Sequence, residues 1–124
     1  MDEKLLQAAL AARAQAYAPY SEFAVGAAVL TADGRIFSGC NIENASYGLS
    51  CCAERCAIFN AVAAGQRQIA ALCVVADTPL PVAPCGACRQ VMAEFKIPKI
   101  ILANTKGDIK YCTLAELLPY SFEL

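Results

Sequence analysis

Two short cysteine-containing segments constrain this chain more than any other feature. The first is Cys52-Ala53-Glu54-Arg55, and the second, much later in the chain, is Pro84-Cys85-Gly86-Ala87-Cys88. Because the chain has no histidine, a zinc-like ion bound here would be held mainly by sulfur. Three cysteine ligands leave a fourth tetrahedral position open, and an open position distinguishes a catalytic zinc site from a structural one. A fold that uses both segments must therefore bring them together.

Glu54 and Arg55 are the charged residues of the first segment. Glu54 lies two residues from Cys52, where its carboxylate could move protons on a water in the open position. Three thiolates give a divalent ion an excess of negative charge, and Arg55 can offset part of it by donating hydrogen bonds to sulfur. The alternative for Arg55 is a solvated position on a helix surface.

Cys51, Cys52 and Cys56 compete for the ligand position of the first segment. Cys52 and Cys56 are spaced i and i+4, so with the two cysteines of the second segment they could form a structural four-cysteine site without catalysis. Such a site closes the metal and leaves Glu54 without a role. The chain is rich in apolar residues and needs no metal staple, which favours the three-cysteine site. A third class is a zinc-free binding domain with reduced core cysteines.

The composition limits the remaining classes. A chain of 124 residues predicts one domain, residues 1–124. The chain contains 58% hydrophobic and only 17% charged residues. An isolated monomer of this size would leave much apolar surface exposed, so we expect subunit contacts. The formal net charge is -1 and the basic residues are scattered, so no nucleic-acid partner is expected.

The location of the protein is predicted from its first residues, the length of its apolar stretches and its cysteines. The start, Met1-Asp2-Glu3-Lys4, does not resemble a signal peptide, and no uncharged apolar stretch is long enough to span a bilayer. We therefore expect a cytoplasmic protein without a membrane partner. In a reducing compartment clustered cysteines more often bind metal than form disulfides. The isolated cysteines are expected as buried small hydrophobes; they are Cys40, Cys73 and Cys112.

Hydrophobic periodicity and turn residues predict the order αββαβαββα. The predicted helices are Asp2 to about Tyr17 (ended by Pro19), Cys52–Ala64, Cys85–Phe95 and a short last helix capped by Thr113 with Glu116 at N3. The predicted strands are Phe23–Thr31, Arg35–Cys40, Ile69–Ala76, Lys99–Ala103 and Ile109–Cys112, with a polar loop from Asn41 to Ser50. This order indicates an α/β fold with a mixed sheet and helices on both faces.

The topology also predicts that the two cysteine segments meet. The helix from Cys52 enters the strand at Ile69 through a short connection, so the helix runs antiparallel to that strand. Its N-terminus then lies at the edge of the sheet where the loop to Cys85 begins, which is the ligand-binding edge of open α/β folds. Both helix N-termini would bring free N–H groups and partial positive charge to this edge. Cys52 at the helix cap and Glu54 in the first turn could then face one ion.

By these residues the chain resembles the small zinc-dependent cytidine deaminases. The motif of a metal ligand, one residue and Glu, followed by Pro-Cys-x-x-Cys, is typical of zinc deaminases. The resemblance runs from Tyr20-Ser21-Glu22-Phe23 through Gly39-Cys40-Asn41-Ile42-Glu43-Asn44 and both cysteine segments to Leu117–Phe122. It implies a three-layer α/β/α fold with a mixed five-stranded sheet and a homotetramer with shared active sites. It also implies conversion of cytidine and 2′-deoxycytidine to their uridine counterparts and ammonia, as in pyrimidine salvage.

The resemblance implies a role for each matching residue. Cys52, Cys85 and Cys88 would hold one zinc ion per subunit, and Glu54 would shuttle protons between the zinc-activated water, ring N3 and the leaving amine. The substrate-binding residues would be Asn41 and Glu43 at the ribose 3′-hydroxyl, the Ala53 backbone at the base, Phe23 against the nucleoside, and Tyr47 and Phe122 from neighbouring subunits. Cys56 departs from the family, which commonly has threonine there. A nucleoside-like antibiotic remains an alternative substrate, since related deaminases share these motifs.

Overall fold

The computed structural model describes residues 1–124 and contains four helices around one sheet. The helices are α1 (Asp2–Arg13), α2 (Ala53–Ala63), α3 (Gly86–Glu94) and α4 (Leu114–Leu117), with a 3-10 turn at Tyr47–Leu49. The strands are β1 (Val25–Thr31), β2 (Ile36–Cys40), β3 (Ile69–Ala76), β4 (Ile100–Asn104) and β5 (Ile109–Cys112). The predicted order of elements is confirmed.

The sheet is mixed, with strand order β2-β1-β3-β4-β5. Its one parallel pair is β3 with β4, and the other neighbours are antiparallel. Every residue of the central strand β3 except Ala70 is buried, as its continuous apolar sequence requires. The parallel pair fixes the site, because α3 connects these two strands and begins beyond the C-terminal end of β3.

Helices cover both faces of the sheet and produce two cores. On one face α2 and α3 pack against alternate strand residues that include Ala27, Val74 and Leu102, which are in register across three strands. On the other face α1 places Leu5 and Ala9 against the intervening residues of the same strands. The predicted three-layer α/β/α arrangement of a mixed five-stranded sheet is confirmed.

Two glycines set how closely helices approach the sheet. A Cβ at Gly26 would lie 2.0 Å from the carbonyl oxygen of Ala9, so α1 lies directly on β1. A Cβ at Gly39 would lie 2.5 Å from the amide nitrogen of Ala57, so α2 lies directly on β2. Any side chain at Gly39 would push α2, and with it the first cysteine segment, away from the sheet.

The first helix ends earlier than its sequence predicts, at Arg13 instead of about Tyr17. A tertiary contact overrides local propensity here. The amide of Tyr17 donates to Asn41 O at 3.0 Å, and the amide of Glu43 donates to Tyr17 O at 2.8 Å. Tyr17 therefore pairs with the segment that follows β2, and this pairing brings the Asn41–Glu43 loop beside the start of β1. The start of β1 moves in the same way, from the predicted Phe23 to Val25.

The remaining boundaries match the predicted ones or differ by one residue. Strands β3 and β5 match their predicted ranges, while β4 is shifted by one residue to Ile100–Asn104. The predicted capping box of Thr113 and Glu116 is present. Cys73 and Cys112 are buried as expected, whereas Cys40 is half-buried. No helix in the structure combines the length and the hydrophobicity needed to cross a bilayer.

Candidate active site

Three cysteine sulfurs meet at the N-termini of α2 and α3. Cys52 is the N-cap of α2, Cys85 is the N-cap of α3, and Cys88 lies in the first turn of α3. The Cys85 sulfur lies 3.7 Å from that of Cys52 and 3.5 Å from that of Cys88, and all three lie within 4.8 Å of one another. The topological prediction that the two segments converge is therefore confirmed.

The two N-cap cysteines differ in what they do for their helices. The Cys85 sulfur accepts a hydrogen bond from the Cys88 amide at 3.5 Å and so caps α3. The Cys52 side chain makes no capping hydrogen bond to α2. Its sulfur instead accepts a hydrogen bond at 3.1 Å from Nη2 of Arg55.

The charge distribution around the sulfurs favours a thiolate at Cys52. Hydrogen bonding from the Cys88 thiol, together with that from Arg55, lowers the pKa of Cys52 to about 5. The same contact with Cys52, together with burial, raises the pKa of Cys88. Without a cation, ionisation of one sulfur thus opposes ionisation of the next, and a bound cation would remove that conflict.

The donor set fits a zinc ion. Sulfurs at the corners of a zinc tetrahedron with Zn–S bonds of about 2.3 Å stand about 3.8 Å apart, close to the two separations that Cys85 makes here. Three thiols and no imidazole form a soft ligand set of the type that zinc prefers. Two helix N-termini and the Arg55 guanidinium supply positive charge that balances three thiolates.

Glu54 lies beside the sulfurs and is almost completely buried, with 4% of its surface exposed. Burial, and after it the neighbouring Cys52 thiolate, raises the pKa of Glu54 to about 7, although the charge of Arg55 acts in the opposite direction. A carboxylate whose pKa lies near neutrality exchanges protons readily in both directions, as a general acid–base requires.

A cavity of about 220 Å³ is lined by Glu54 and by Cys52 and Cys85. It brings together most of the residues predicted to bind substrate, since its walls include Phe23, Asn41, Glu43 and Ala53. Asn41 and Glu43 come from the loop after β2, Phe23 from the segment before β1, and Ala53 from the first turn of α2. One small cavity therefore combines polar groups, an apolar wall and two of the three clustered cysteines.

Asn41 and Glu43 are held by backbone hydrogen bonds. Asn41 Oδ1 accepts from the Val25 amide at 2.9 Å, and its Nδ2 donates to Phe23 O at 2.7 Å. Glu43 Oε1 accepts from the amides of Tyr20 and Ser21 at 2.9 and 3.1 Å. The segment before β1 thus holds both polar side chains in place.

Tyr47 and Phe122 lie outside this cavity in the single chain. Tyr47 is 74% exposed, stacks edge-on against Tyr20 and lines a neighbouring cavity of about 380 Å³. Phe122 is 70% exposed and lies near the C-terminus, where Gln90 Nε2 donates to its carbonyl at 3.2 Å. That both reach a neighbouring subunit's site remains a prediction.

Cys56, the residue that allowed a four-cysteine site, lies outside the sulfur cluster. It is half-buried and lines another cavity with Cys40 and Phe59. Burial and the nearby Cys51 thiol raise the pKa of Cys56 to about 12. The geometry therefore favours three sulfur ligands over four.

Sequence reasoning assigned no site role to four residues of the cavity wall, which are Ser21, Val25, Val82 and Ala83. Val82 belongs to the proline-rich loop before Cys85, which carries no motif of its own. Ser21 stood within the recognised Tyr20–Phe23 segment without an assigned role. A serine two residues before an amide that needs an acceptor is a known turn signal, and its hydroxyl does accept from the Phe23 amide at 3.1 Å.

The chain matches a family model described as the cytidine and deoxycytidylate deaminase zinc-binding region over residues 1–104. A cytidine deaminase of Sporosarcina psychrophila is 57% identical over 123 residues, which cover 97% of this chain and 90% of that protein. A cytidine deaminase of Halalkalibacterium halodurans is 55% identical over 122 residues, which cover 97% of this chain and 92% of that protein.

Solved structures of cytidine deaminases are also similar to this chain. The crystal structure of a cytidine deaminase from Burkholderia pseudomallei superposes with a TM-score of 0.95 at 54% identity, covering 98% of this chain and 99% of that chain. The crystal structure of a cytidine deaminase from Mycobacterium tuberculosis superposes with a TM-score of 0.84 at 40% identity, covering 98% of this chain and 97% of that chain.

Proposed function

The chain belongs to the family of cytidine and deoxycytidylate deaminases, and from that premise we propose that it hydrolyses cytidine and 2′-deoxycytidine to uridine and 2′-deoxyuridine, releasing ammonia. The whole chain, residues 1–124, would act as one catalytic domain in pyrimidine salvage. The observation that carries this proposal is a cluster of three thiols at a cavity that also contains the buried Glu54. The relatives support this function over a structural zinc module.

Cys52, Cys85 and Cys88 would hold one zinc ion per subunit. When bound, zinc supplies Lewis-acid chemistry that makes water nucleophilic near neutral pH. Arg55 would keep the Cys52 sulfur ionised through the hydrogen bond at 3.1 Å. The positive ends of the α2 and α3 dipoles would favour the same thiolates.

Glu54 would carry the protons. Its carboxylate takes a proton from the water that attacks C4 of the pyrimidine and passes it to ring N3. It then takes the remaining hydroxyl proton and delivers it to the leaving amine, so that one water is consumed and one ammonia is released. Its pKa near 7 suits a group that must both accept and donate protons.

The other cavity residues would orient the nucleoside. Asn41 and Glu43 would form hydrogen bonds with the ribose 3′-hydroxyl. The Ala53 backbone would contact the base, and the Phe23 ring would pack against the nucleoside. Orientation at a site that excludes water contributes strongly to such reactions. The cavity is small enough to enclose a nucleoside in part and leaves its outer side to be covered by another group.

Neighbouring subunits would cover that outer side in a homotetramer. The single chain leaves large apolar side chains exposed, including Ile42 at 49% and Phe59 at 48% beside the cysteine-lined cavity of α2. Tyr47 and Phe122 would complete a neighbour's active site. We also place the protein in the cytoplasm, because all eight cysteines are free thiols.

The direct test combines metal analysis with ammonia release. Purified protein should contain one zinc per chain and should release ammonia from cytidine and 2′-deoxycytidine. Free cytosine and a cytosine-nucleoside antibiotic serve as comparison substrates. Zinc without turnover of either nucleoside would contradict the proposal, and exclusive turnover of the antibiotic would replace the substrate.

A further inference from the structure

We propose that Ser21 is a positioning residue for substrate recognition, whose hydroxyl orients the Glu43 carboxylate so that it accepts a hydrogen bond from one sugar hydroxyl. The inference deepens the proposed function and depends on it. Ser21 lines both the cavity at the sulfurs and the neighbouring cavity at Tyr47. Its hydroxyl forms hydrogen bonds with the Glu43 carboxylate and the Phe23 amide.

Ser21 contributes two of the three donors that hold Glu43. Its amide and that of Tyr20 donate to Oε1 at 3.1 and 2.9 Å, and its hydroxyl donates to Oε2. The same hydroxyl oxygen accepts from the Phe23 amide at 3.1 Å. One side-chain atom thus connects the backbone that carries the aromatic wall with the carboxylate that faces the sugar.

The two carboxylate oxygens are fixed by different groups. Backbone amides bind Oε1 alone. Rotation about the last side-chain bond of Glu43 has a broad, soft profile, so hydrogen bonds to one oxygen define the plane of the carboxylate only loosely. The Ser21 hydroxyl holds Oε2 and so sets the plane of the carboxylate. Without the hydroxyl, Glu43 would stay in the cavity but would lose its fixed orientation.

Hydrogen-bonding capacity then decides what Glu43 can bind. A carboxylate oxygen accepts about two hydrogen bonds, so Oε1 is filled and Oε2 has one acceptor position left. The Asn41 amide group has two hydrogens, and one of them donates to Phe23 O. One free acceptor beside one free donor matches a single hydroxyl, which donates to Glu43 and accepts from Asn41.

The charge of Glu43 is suited to this role. Hydrogen bonds from the Ser21 hydroxyl, and then from the backbone amides, hold the pKa of Glu43 below its ordinary value. The carboxylate is therefore ionised at neutral pH and accepts hydrogen bonds without competition from a proton.

A role in the turn alone is the competing explanation for Ser21. Glu22 has a left-handed φ of 58°, and the bond from the Phe23 amide to Ser21 Oγ could serve only to hold that turn. A structural role would weaken all substrates alike. Orientation of Glu43 would weaken only substrates that carry the hydroxyl it binds.

The test compares 2′-deoxycytidine with 2′,3′-dideoxycytidine, which lacks the 3′-hydroxyl. For S21A, kcat/KM with 2′-deoxycytidine should fall about 10- to 100-fold, as expected for a lost hydrogen bond to a charged group. The fall should reside mainly in KM, and kcat/KM with 2′,3′-dideoxycytidine should change less than about threefold. S21T retains a hydroxyl and should recover most of the loss. T105A is the control, because it removes an exposed hydroxyl that donates to the Asp77 carboxylate away from the cavity, and Glu43→Ala sets the lower limit.

Equal losses on the two substrates, or no loss on either, would overturn the role of Ser21. S21G is measured beside S21A, and failure of both variants to fold with full zinc content would also overturn it, since Ser21 would then be structural. If the wild-type protein deaminates neither substrate, the proposed function itself fails. A wild-type protein that is active while S21A keeps the same substrate preference contradicts this inference alone.

Discussion

The Arg55 guanidinium points at a sulfur and not at solvent, with Nη2 only 3.1 Å from the Cys52 sulfur. Its Nε is buried without a hydrogen-bond partner. An unpaired buried donor lowers the stability of the fold, so other contacts must hold the side chain in this position. The hydrogen bond anticipated from sequence is thus present. Arg55 also carries the positive charge that lowers the pKa of Glu54.

Arg55→Gln should fold and keep zinc but lose activity, most strongly at low pH. Removing the cation raises the pKa of Glu54 further, and Glu54 must be deprotonated to accept the proton of water. The acidic limb of the kcat/KM profile should therefore move to higher pH, so that activity falls more at pH 6 than at pH 8.

Arg67→Gln is the matched control, because Arg67 is exposed beyond α2 and far along the chain from the sulfurs. Its pH profile should equal that of the wild type. An Arg55→Gln profile identical to both would return Arg55 to the role of a helix-surface residue.

Glu54→Gln should retain zinc and lose turnover. The amide is similar in size but cannot accept a proton, and loss of general acid–base catalysis costs roughly 10²–10⁴ in rate. Since one residue serves several proton transfers, we expect the upper part of this range. Zinc content by mass spectrometry and kcat by ammonia release provide the measurement, with exposed Glu3→Gln as control. More than a tenth of wild-type activity in a zinc-containing variant would refute the assignment.

Cys52→Ala should abolish tight zinc binding, whereas Cys56→Ala and Cys51→Ala should leave it nearly intact. Cys52 belongs to the sulfur cluster, and Cys56 lies outside it. Zinc stoichiometry and resistance to a chelator distinguish the variants. Loss of zinc from the Cys56 variant would instead favour a four-cysteine site.

Two inactive variants should complement each other if active sites are shared. Glu54→Gln and Phe122→Ala are each expected to be severely impaired alone. After dissociation and joint reassembly, some sites receive an intact Glu54 from one chain and an intact Phe122 from another, so activity should partly return. An exposed aromatic ring near a chain end needs a partner to order it.

The same proteins mixed without dissociation are the control and should stay inactive. A monomer with full activity, found by sedimentation, would contradict the shared-site prediction, and Phe122 would then belong to its own chain's packing.

Much of the fold was predictable because the local sequence pattern of most elements agrees with their burial in the folded chain. Strand β3 is apolar along its whole length and is buried on both faces, so its range matched. The end of α1 was not predictable, because Tyr17 is taken out of the helical pattern by pairing with Asn41 and Glu43, more than twenty residues away along the chain. Contacts of that kind leave no periodic signal in the residues that make them.

The residues of the candidate site also differ in how clearly the sequence indicates them. The sulfurs and Glu54 were found because spacing and chemistry together restrict them to few roles. Ser21 was missed because serine is common in turns, and its value arises only from the position of Glu43 beside it. Tyr47 and Phe122 are exposed and lie outside the cavity at Glu54 within one chain, so their predicted roles depend on assembly.

At the N-cap of α2, the residue types that best stabilise a helix differ from the residue that the proposed zinc site requires. Asp, Ser or Asn at an N-cap commonly stabilises a helix by about 1 kcal/mol relative to a non-capping residue, and Cys52 forms no such bond. Engineering for heat resistance alone, with the metal absent, would thus favour replacing a residue that the proposed reaction needs. On that proposal, the start of α2 is a place where a substitution chosen only for helix stability would erase activity.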